Sequence, residues 1–385
     1  MRRRRGILVA VAAALLVAPG AGVPARAAEP GTVTITQGVD ATTLDPLKAS
    51  VTTDTNVQAQ LYDTLARRSP DGSALVPQLA TSWKRIAPAV WEFKLRRGVT
   101  FSNGDPFTSA DVKFTVEKIL DPAFKSQQVP RVDTVARVET PDPYTVHFVT
   151  KRPTPLPPAI TRPVFIADAK FWQEHGDAYM VEHPMGTGPY VLKSWRRDEA
   201  LELDANPRYW GGAPPVAHVI FKPIPEAGTR VSALRTGATD LITNVPFQYA
   251  TLLAGGTATR MASARSVRVL YIAFNTLQPG PQPMYMLGWG NITYDADNTL
   301  SSQLVSDAVS STYANPAVDK LTDAARYELD PAKRKALYAK ALRIIHDDAP
   351  WLFLFQYEDL YATSKRLQWQ PRPDEGIYCT EMRLR

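Results

Sequence analysis

The chain has 385 residues, 44% of them hydrophobic, with 44 Lys plus Arg, 38 Asp plus Glu and a formal net charge of +6. Five of the bases, Arg2, Arg3, Arg4, Arg5 and Arg26, fall in an opening stretch without an acid, so the remainder is close to neutral. That balance excludes a general attraction for nucleic acid or anionic lipid, the apolar share excludes bulk disorder, and the single cysteine, Cys379, excludes intramolecular disulfides and cysteine-built metal sites.

Residues 1–27 combine the basic start, an apolar run Ile7–Val17 and the small-residue exit Ala25-Arg26-Ala27, the layout of a cleavable secretory signal. The apolar run is too short for a bilayer core that needs ~20 residues. With no cysteine beside the cleavage point, a product free in the periplasm or outside the cell is expected.

Thr32–Gln37 alternates β-branched residues and predicts a first strand. Asp54–Ala66, with Val57, Leu61 and Leu65 at helical spacing, predicts a helix. Trp91–Leu95 and the Asn103-Gly104 turn signal predict a small antiparallel unit. Thr108 followed by Asp111 three residues on marks the start of a helix running to Leu120. Val132–Glu139 and Tyr144–Val149 read as a strand pair across Thr140-Pro141-Asp142-Pro143.

From Gly186 the pattern changes. Gly186-Thr187-Gly188-Pro189 reads as a tight turn feeding a strand from Tyr190, since no G-K-[ST] follows to make it a phosphate loop. Strand-like segments (Leu201–Asp204, Val216–Lys222, Leu241–Thr243, Val267–Asn275) then alternate with helix candidates (Glu226–Thr236, Phe247–Leu253), which argues for an α/β layer with some parallel pairing. The Pro-rich break Pro279–Pro283 is a boundary signal. Asn315 and Asp330 each precede a proline, as capping residues do. Behind Asp330, Leu337, Ala341, Ile344 and Ile345 form one stripe, and Trp351–Phe355 reads as a buried strand.

Catalytic signatures are missing: no S-x-x-K, no G-x-S-x-G, no H-E-x-x-H, and five histidines without ligand spacing. No metal or other cofactor is expected. The segment Gly288-Trp289-Gly290-Asn291-Ile292-Thr293-Tyr294-Asp295-Ala296-Asp297-Asn298 mixes small residues, aromatics and carboxylates, as a ligand site does. The same residues also suit a strand end whose Trp fills a core and whose Asp and Asn cap the next helix.

These segments resemble the family 5 extracytoplasmic solute-binding proteins of ATP-driven (ABC) importers for peptides, nickel and glutathione. The resemblance is carried by Leu44-Asp45-Pro46, Leu61–Leu65, Pro77–Trp83, Phe93–Phe101, Asn103–Val112, Gly186–Tyr190, Asn206–Trp210 and Arg334–Pro350. It implies a two-lobed α/β fold of the periplasmic-binding-protein (Venus-flytrap) kind that closes on its solute, and no enzymatic activity. Lobe one would comprise 28–276 and 356–385, with an extra subdomain at about 60–185. Lobe two would be 277–355, shortened, because the chain passes from Thr276 to Met284-Tyr285-Met286 where the family has a proline-rich entry and an Arg-containing helix. Such a cut should bare apolar faces.

By position, the resemblance implies that Ser50, Val51 and Thr52 face the solute from lobe one, and Gly288, Trp289, Gly290, Asn291, Tyr294 and Asp295 from lobe two. Asn291-Ile292 stands where the family's peptide binders place an aspartate for the peptide amine. A peptide-like solute (oligopeptide, dipeptide or glutathione-like) is expected, handed by a monomer to ABC permease subunits in the inner membrane. The alternatives are a truncated, binding-incompetent relative with a scaffold role or none, and a secreted hydrolase.

Overall fold

A computed structural model describes residues 31–49, 51–275, 284–308 and 311–385. The leader 1–27, Ser50 and the Pro279–Pro283 break lie outside the described residues. Mixed α/β architecture is built on an eight-stranded sheet in the order Met284–Gly290, Thr259–Phe274, Trp351–Ser364, Leu241–Ile242, Thr32–Gln37, His218–Pro223, Ala200–Ala205, Tyr190–Arg196.

Thr32–Gln37 is buried along its whole length because both faces are covered. It runs parallel to His218–Pro223 on one side and Leu241–Ile242 on the other. Val33 and Ile35 join a core with Val57, Leu61, Phe221 and Tyr361 on one face. Val231, Leu234, Ile242, Val245 and Leu253 form another core.

The helix predicted over Asp54–Ala66 occupies Thr52–Leu61 instead. It stops there because the glycine turn docks on its last carbonyl: Gly188 donates to Leu61 O at 3.0 Å. A β-carbon on Gly186 would lie 2.1 Å from that same oxygen. Leu65 is still buried, but in the neighbouring core.

That core belongs to a four-stranded antiparallel sheet, Ala80–Ala87, Val90–Leu95, Thr145–Thr150 and Val135–Asp142. The helix Ser109–Leu120 lays Val112, Val116 and Ile119 onto Phe93 and Phe148. Its start is the capping box read from the sequence, with Thr108 N donating to Asp111 Oδ2 at 2.8 Å.

Two strands, Thr259–Phe274 and Trp351–Ser364, run antiparallel from the main sheet into a separate core. Only the second half of the first was legible, because Thr259–Arg265 mixes small and charged residues. At the far end Tyr271 and Trp351 stack at 3.7 Å, and the helices Ala296–Gln303, Pro316–Arg326 and Pro331–Asp348 pack beside them. Asn315 and Asp330 cap the last two helices, accepting from Ala317 N and from Ala332 N and Lys333 N.

The stripe on Pro331–Asp348 contributes Ala341 and Ile345 fully, with Leu337 and Ile344 at its margin. Trp351 is buried, but the expected burial of the following residues fails: Leu352 and Phe355 are 50% and 55% exposed, and Phe353 and Leu354 are exposed as well. Met284 and Met286, on the edge strand across Thr259–Phe274, are likewise bare. Among the described residues, nothing covers this surface.

Candidate functional site

Where the long strands leave the main sheet their ladder is interrupted. Arg265 pairs with Glu358 and Val269 with Gln356, so Ser266, Val267 and Arg268 oppose Tyr357 alone. The extra residues turn Arg268 inward. Beside it lies a cavity of about 500 Å³, walled by the helix start at Thr52, Thr53 and Asn56, the loop Thr243–Val245, the strand segment Tyr357–Tyr361 and Glu375. That volume is in the range of small-molecule sites.

Arg268 and Glu375 form the fixed point of this site. Nε and Nη2 of Arg268 donate to the two carboxylate oxygens of Glu375 at 2.6 and 2.8 Å, the bidentate geometry that suits a guanidinium. Nη1 donates to Gly288 O at 2.6 Å. Thr52 Oγ1 and Ser266 Oγ also donate to Glu375, at 3.1 and 3.0 Å. Burial would raise the Glu375 carboxyl, yet the hydrogen bonds and charge of Arg268 hold it below its ordinary range.

Asp359, on the same strand as Tyr357, has the opposite balance. Burial, and then the charge of Glu375, push it up to about 6, against which Ser266 and Arg268 pull only in part. On the far wall Asn56 donates to Gln37 Oε1 at 3.1 Å and accepts from Ile377 N, which fixes both amides.

Of the residues expected from the sequence, Thr52 lines the cavity, and Gly288 and Gly290 lie outside its walls, against Arg268. A β-carbon at Gly288 would lie 3.0 Å from Arg268 Cδ, and one at Gly290 3.4 Å from its Nη2. Here the small residues admit an arginine laid across the strand. Val51 precedes the helix and is exposed, accepting from Thr55 N through its carbonyl. Ser50 lies outside the described residues.

The others sit apart from the cavity. Trp289 packs on the helical core beside Tyr271, and its Nε1 is buried without a hydrogen-bond partner. Asn291 donates its N–H to Val267 O and accepts from Thr293 Oγ1. Tyr294, at φ +59°, lays its ring over the Arg68 guanidinium at 4.9 Å and against Gly72. Asp295 caps Ala296–Gln303 by accepting from Asp297 N, and pairs with Arg334 at 2.7 Å.

Tyr294 and Thr293, whose carbonyl accepts from Arg68, tie the second core to the first lobe. Arg326 adds a second tie, between Asp133 at 2.5 Å and Asp297 at 3.3 Å.

Sequence reasoning missed Arg268, Asp359 and Glu375. One signal was available: the acid pair Glu358-Asp359 interrupts an aromatic and aliphatic strand, where acids are depleted. Arg268 and Glu375 are far apart in sequence and carried no local pattern.

A bilobal α/β frame with a cavity at the neck is the architecture of the two-lobed periplasmic binding proteins. The structure superposes on a dipeptide-binding protein from Pseudoalteromonas sp. SM9913 in complex with Met-Leu, at TM-score 0.85 and 17% identity, covering 92% of this chain and 100% of that one. DppA from Helicobacter pylori, in complex with the peptide STSA, gives 0.83 and 19%, covering 92% and 98%. AgaA from A. tumefaciens R10, in complex with agropinic acid, gives 0.83 and 18%, covering 92% and 99%.

Residues 74–281 match the model described as "Bacterial extracellular solute-binding proteins, family 5 Middle", and the chain belongs to that family. Glutathione-binding protein GsiB from Escherichia coli (strain K12) is 28% identical over 254 residues, 64% of this chain and 48% of GsiB. GsiB from Shigella flexneri matches to the same extent. The chain thus spans about half the length of the curated relatives it matches. These relatives are solute-binding proteins, not enzymes, and lend nothing to the hydrolase alternative. Among the described residues, no helix is long and apolar enough to cross a membrane.

Proposed function

We propose that this protein is the periplasmic solute-binding component of an ABC importer, which captures a peptide-like solute and delivers it to permease subunits in the inner membrane. The observation that carries the reading is the cavity of about 500 Å³ at the neck, with Thr52 from the first lobe and Gly288 from the second held to one Arg268–Glu375 pair. The cavity walls belong to lobe one, and lobe two reaches them through Gly288 O on Arg268, so a solute seated there favours the shut form to the extent that it binds better with that contact made. The names of the relatives, which include dipeptide, peptide and glutathione binders, support the solute class. We take residues 28–276 and 356–385 as lobe one and 277–355 as a shortened lobe two.

Calorimetric titration of the purified protein with di-, tri- and tetrapeptides and with glutathione tests the proposal. A binding solute at a hundred times its Kd should also raise unfolding stability by about 2.7 kcal/mol. Absence of both heat and stabilisation across the set refutes it.

One observation favours the pruned, binding-incompetent reading instead: the bare surface of Leu352, Phe355, Met284 and Met286. The same titration separates the two, since a crippled lobe gains nothing from solute.

A further inference from the structure

Among the described residues, the core of the four-stranded sheet and the core built on Tyr271, Trp351 and the last helices have no side chain in common. They face each other across a polar crevice, where Pro130, Pro155 and Pro158 look onto Thr293, Asp297 and Asn298 around a space of about 30 Å³, room for a water or two. The side chains that cross between them are charged, and the crossing is reciprocal. Arg326, at the end of the helix Pro316–Arg326, donates from Nη2 to Asp133 Oδ1 at 2.5 Å. In the opposite sense Arg152, just beyond the strand Thr145–Thr150, pairs with Asp323 of that helix and lays its guanidinium 3.5 Å from the centre of the Tyr327 ring. Asp323 and Tyr327 stand four residues apart, close enough for one arginine to engage both.

A join made by apolar faces would be indifferent to salt, whereas a join made by ion pairs is not. The Arg152 and Asp323 side chains are 48% and 58% exposed, so salt screens their attraction; Arg326 and Asp133, at 16% and 32%, are screened less. The signs also fix how the two faces dock, since exchanging partners would set Arg152 against Arg326 and Asp133 against Asp323.

We propose that Asp133 and Arg152 on the four-stranded unit, with Asp323 and Arg326 on the facing helix, form an electrostatic clasp that holds the two cores together before any solute arrives. Ionic strength then sets the balance between shut and open forms. None of the four lines the neck cavity, so they are positioning residues that act on it from outside. A solute that needs the shut form binds more weakly when that form is less populated, and loosening the clasp therefore lowers apparent affinity without altering a cavity wall. The clasp needs only the two-lobed frame, whatever the cavity takes.

Spin labels at Lys84→Cys and Lys335→Cys, exposed positions on the two sides, report the separation of the cores in the solute-free protein, the native Cys379 being buried. At about 20 mM NaCl a short distance should dominate; at about 500 mM, where charges are screened within a few ångströms, a longer one should grow in. Asp133→Asn combined with Arg152→Asp should lower the short-to-long ratio about fivefold or more at low salt, and salt should no longer lengthen the distance. Adding Asp323→Arg re-forms the outer pair in reverse and should restore part of the short distance, which damage to the fold would not do. Asp133→Asn leaves Arg326 beside Asp297, at 3.3 Å, so the helical core keeps its own pair. Should the double variant unfold, Asp323→Lys alone, at an exposed position, must shift the ratio in the same direction. Distances unmoved by these variants at low salt, or no recovery with Asp323→Arg, overturn the clasp.

Discussion

Arg268 clasps Glu375 with two hydrogen bonds of 2.6 and 2.8 Å, 107 residues apart in the chain. A residue of a strand that runs into the second core is thereby fastened to the C-terminal segment of the first. Arg268→Ala leaves Glu375 buried without its counter-charge. We expect a loss of about 2 kcal/mol, less than for a wholly buried pair because the Arg268 side chain retains 28% exposure. Urea denaturation measures the loss, and the double variant with Glu375→Gln should recover part of it.

Glu375 also sets an acid limb. Its folded pKa is depressed, so its contribution is fully present above the ordinary value of 4.5 and is lost as pH falls through the depressed one. In Glu375→Gln, stability should already be lower at pH 7 and should fall less steeply below pH 4.5. A parallel acid limb in wild type and variant, followed by denaturant midpoints, contradicts this.

Trp289→Ala removes a side chain from the core shared with Tyr271, Leu300 and Trp351. The expected cost is about 3 kcal/mol, charged to that core while the first lobe stays folded. Hydrogen exchange should show lost protection over Ala296–Gln303 and Pro331–Asp348 and none over Thr32–Gln37.

Gly186→Ala should be among the most damaging single changes in the molecule. Its β-carbon would fall 2.1 Å from a backbone oxygen, Leu61 O, which has no room to yield. We expect more than about 4 kcal/mol, read as failure to fold or a collapse of Tm.

Within one strand, Trp351 and Phe355 should respond oppositely. Trp351→Ala should cost about 3–5 kcal/mol, since Trp351 is buried and stacked on Tyr271. Phe355→Ser, at 55% exposure, should change stability by about 0.5 kcal/mol or less and reduce binding of an apolar dye.

Local signals were read well from the sequence. The Thr108–Asp111 box, the Asn315 and Asp330 caps and the glycine turn before Tyr190 each depend on residues within a few positions of one another. The family's own segments gave the α/β frame. What the residues could not show is anything decided by pairing at long range. The helix from Thr52 stops at Leu61 because of a glycine more than a hundred positions on. Trp351–Phe355 reads as interior because apolarity signals burial only if something lies on top, and composition does not report the cover. Gly288 and Gly290 read from the sequence as solute-facing small residues, whereas the group lying against them in the structure is Arg268.

The missing rungs at Ser266, Val267 and Arg268 bear on how the molecule can move. A ribbon of two bonded strands resists bending in its plane but yields to torsion where rungs are absent. If the two cores swing apart, as the family's closing on solute implies, the torsion is expected to fall on these three positions, and Arg268 is one of them. Pivot and fastener would then coincide, and a guest that loosens or tightens the Arg268 guanidinium would act on the axle of the motion.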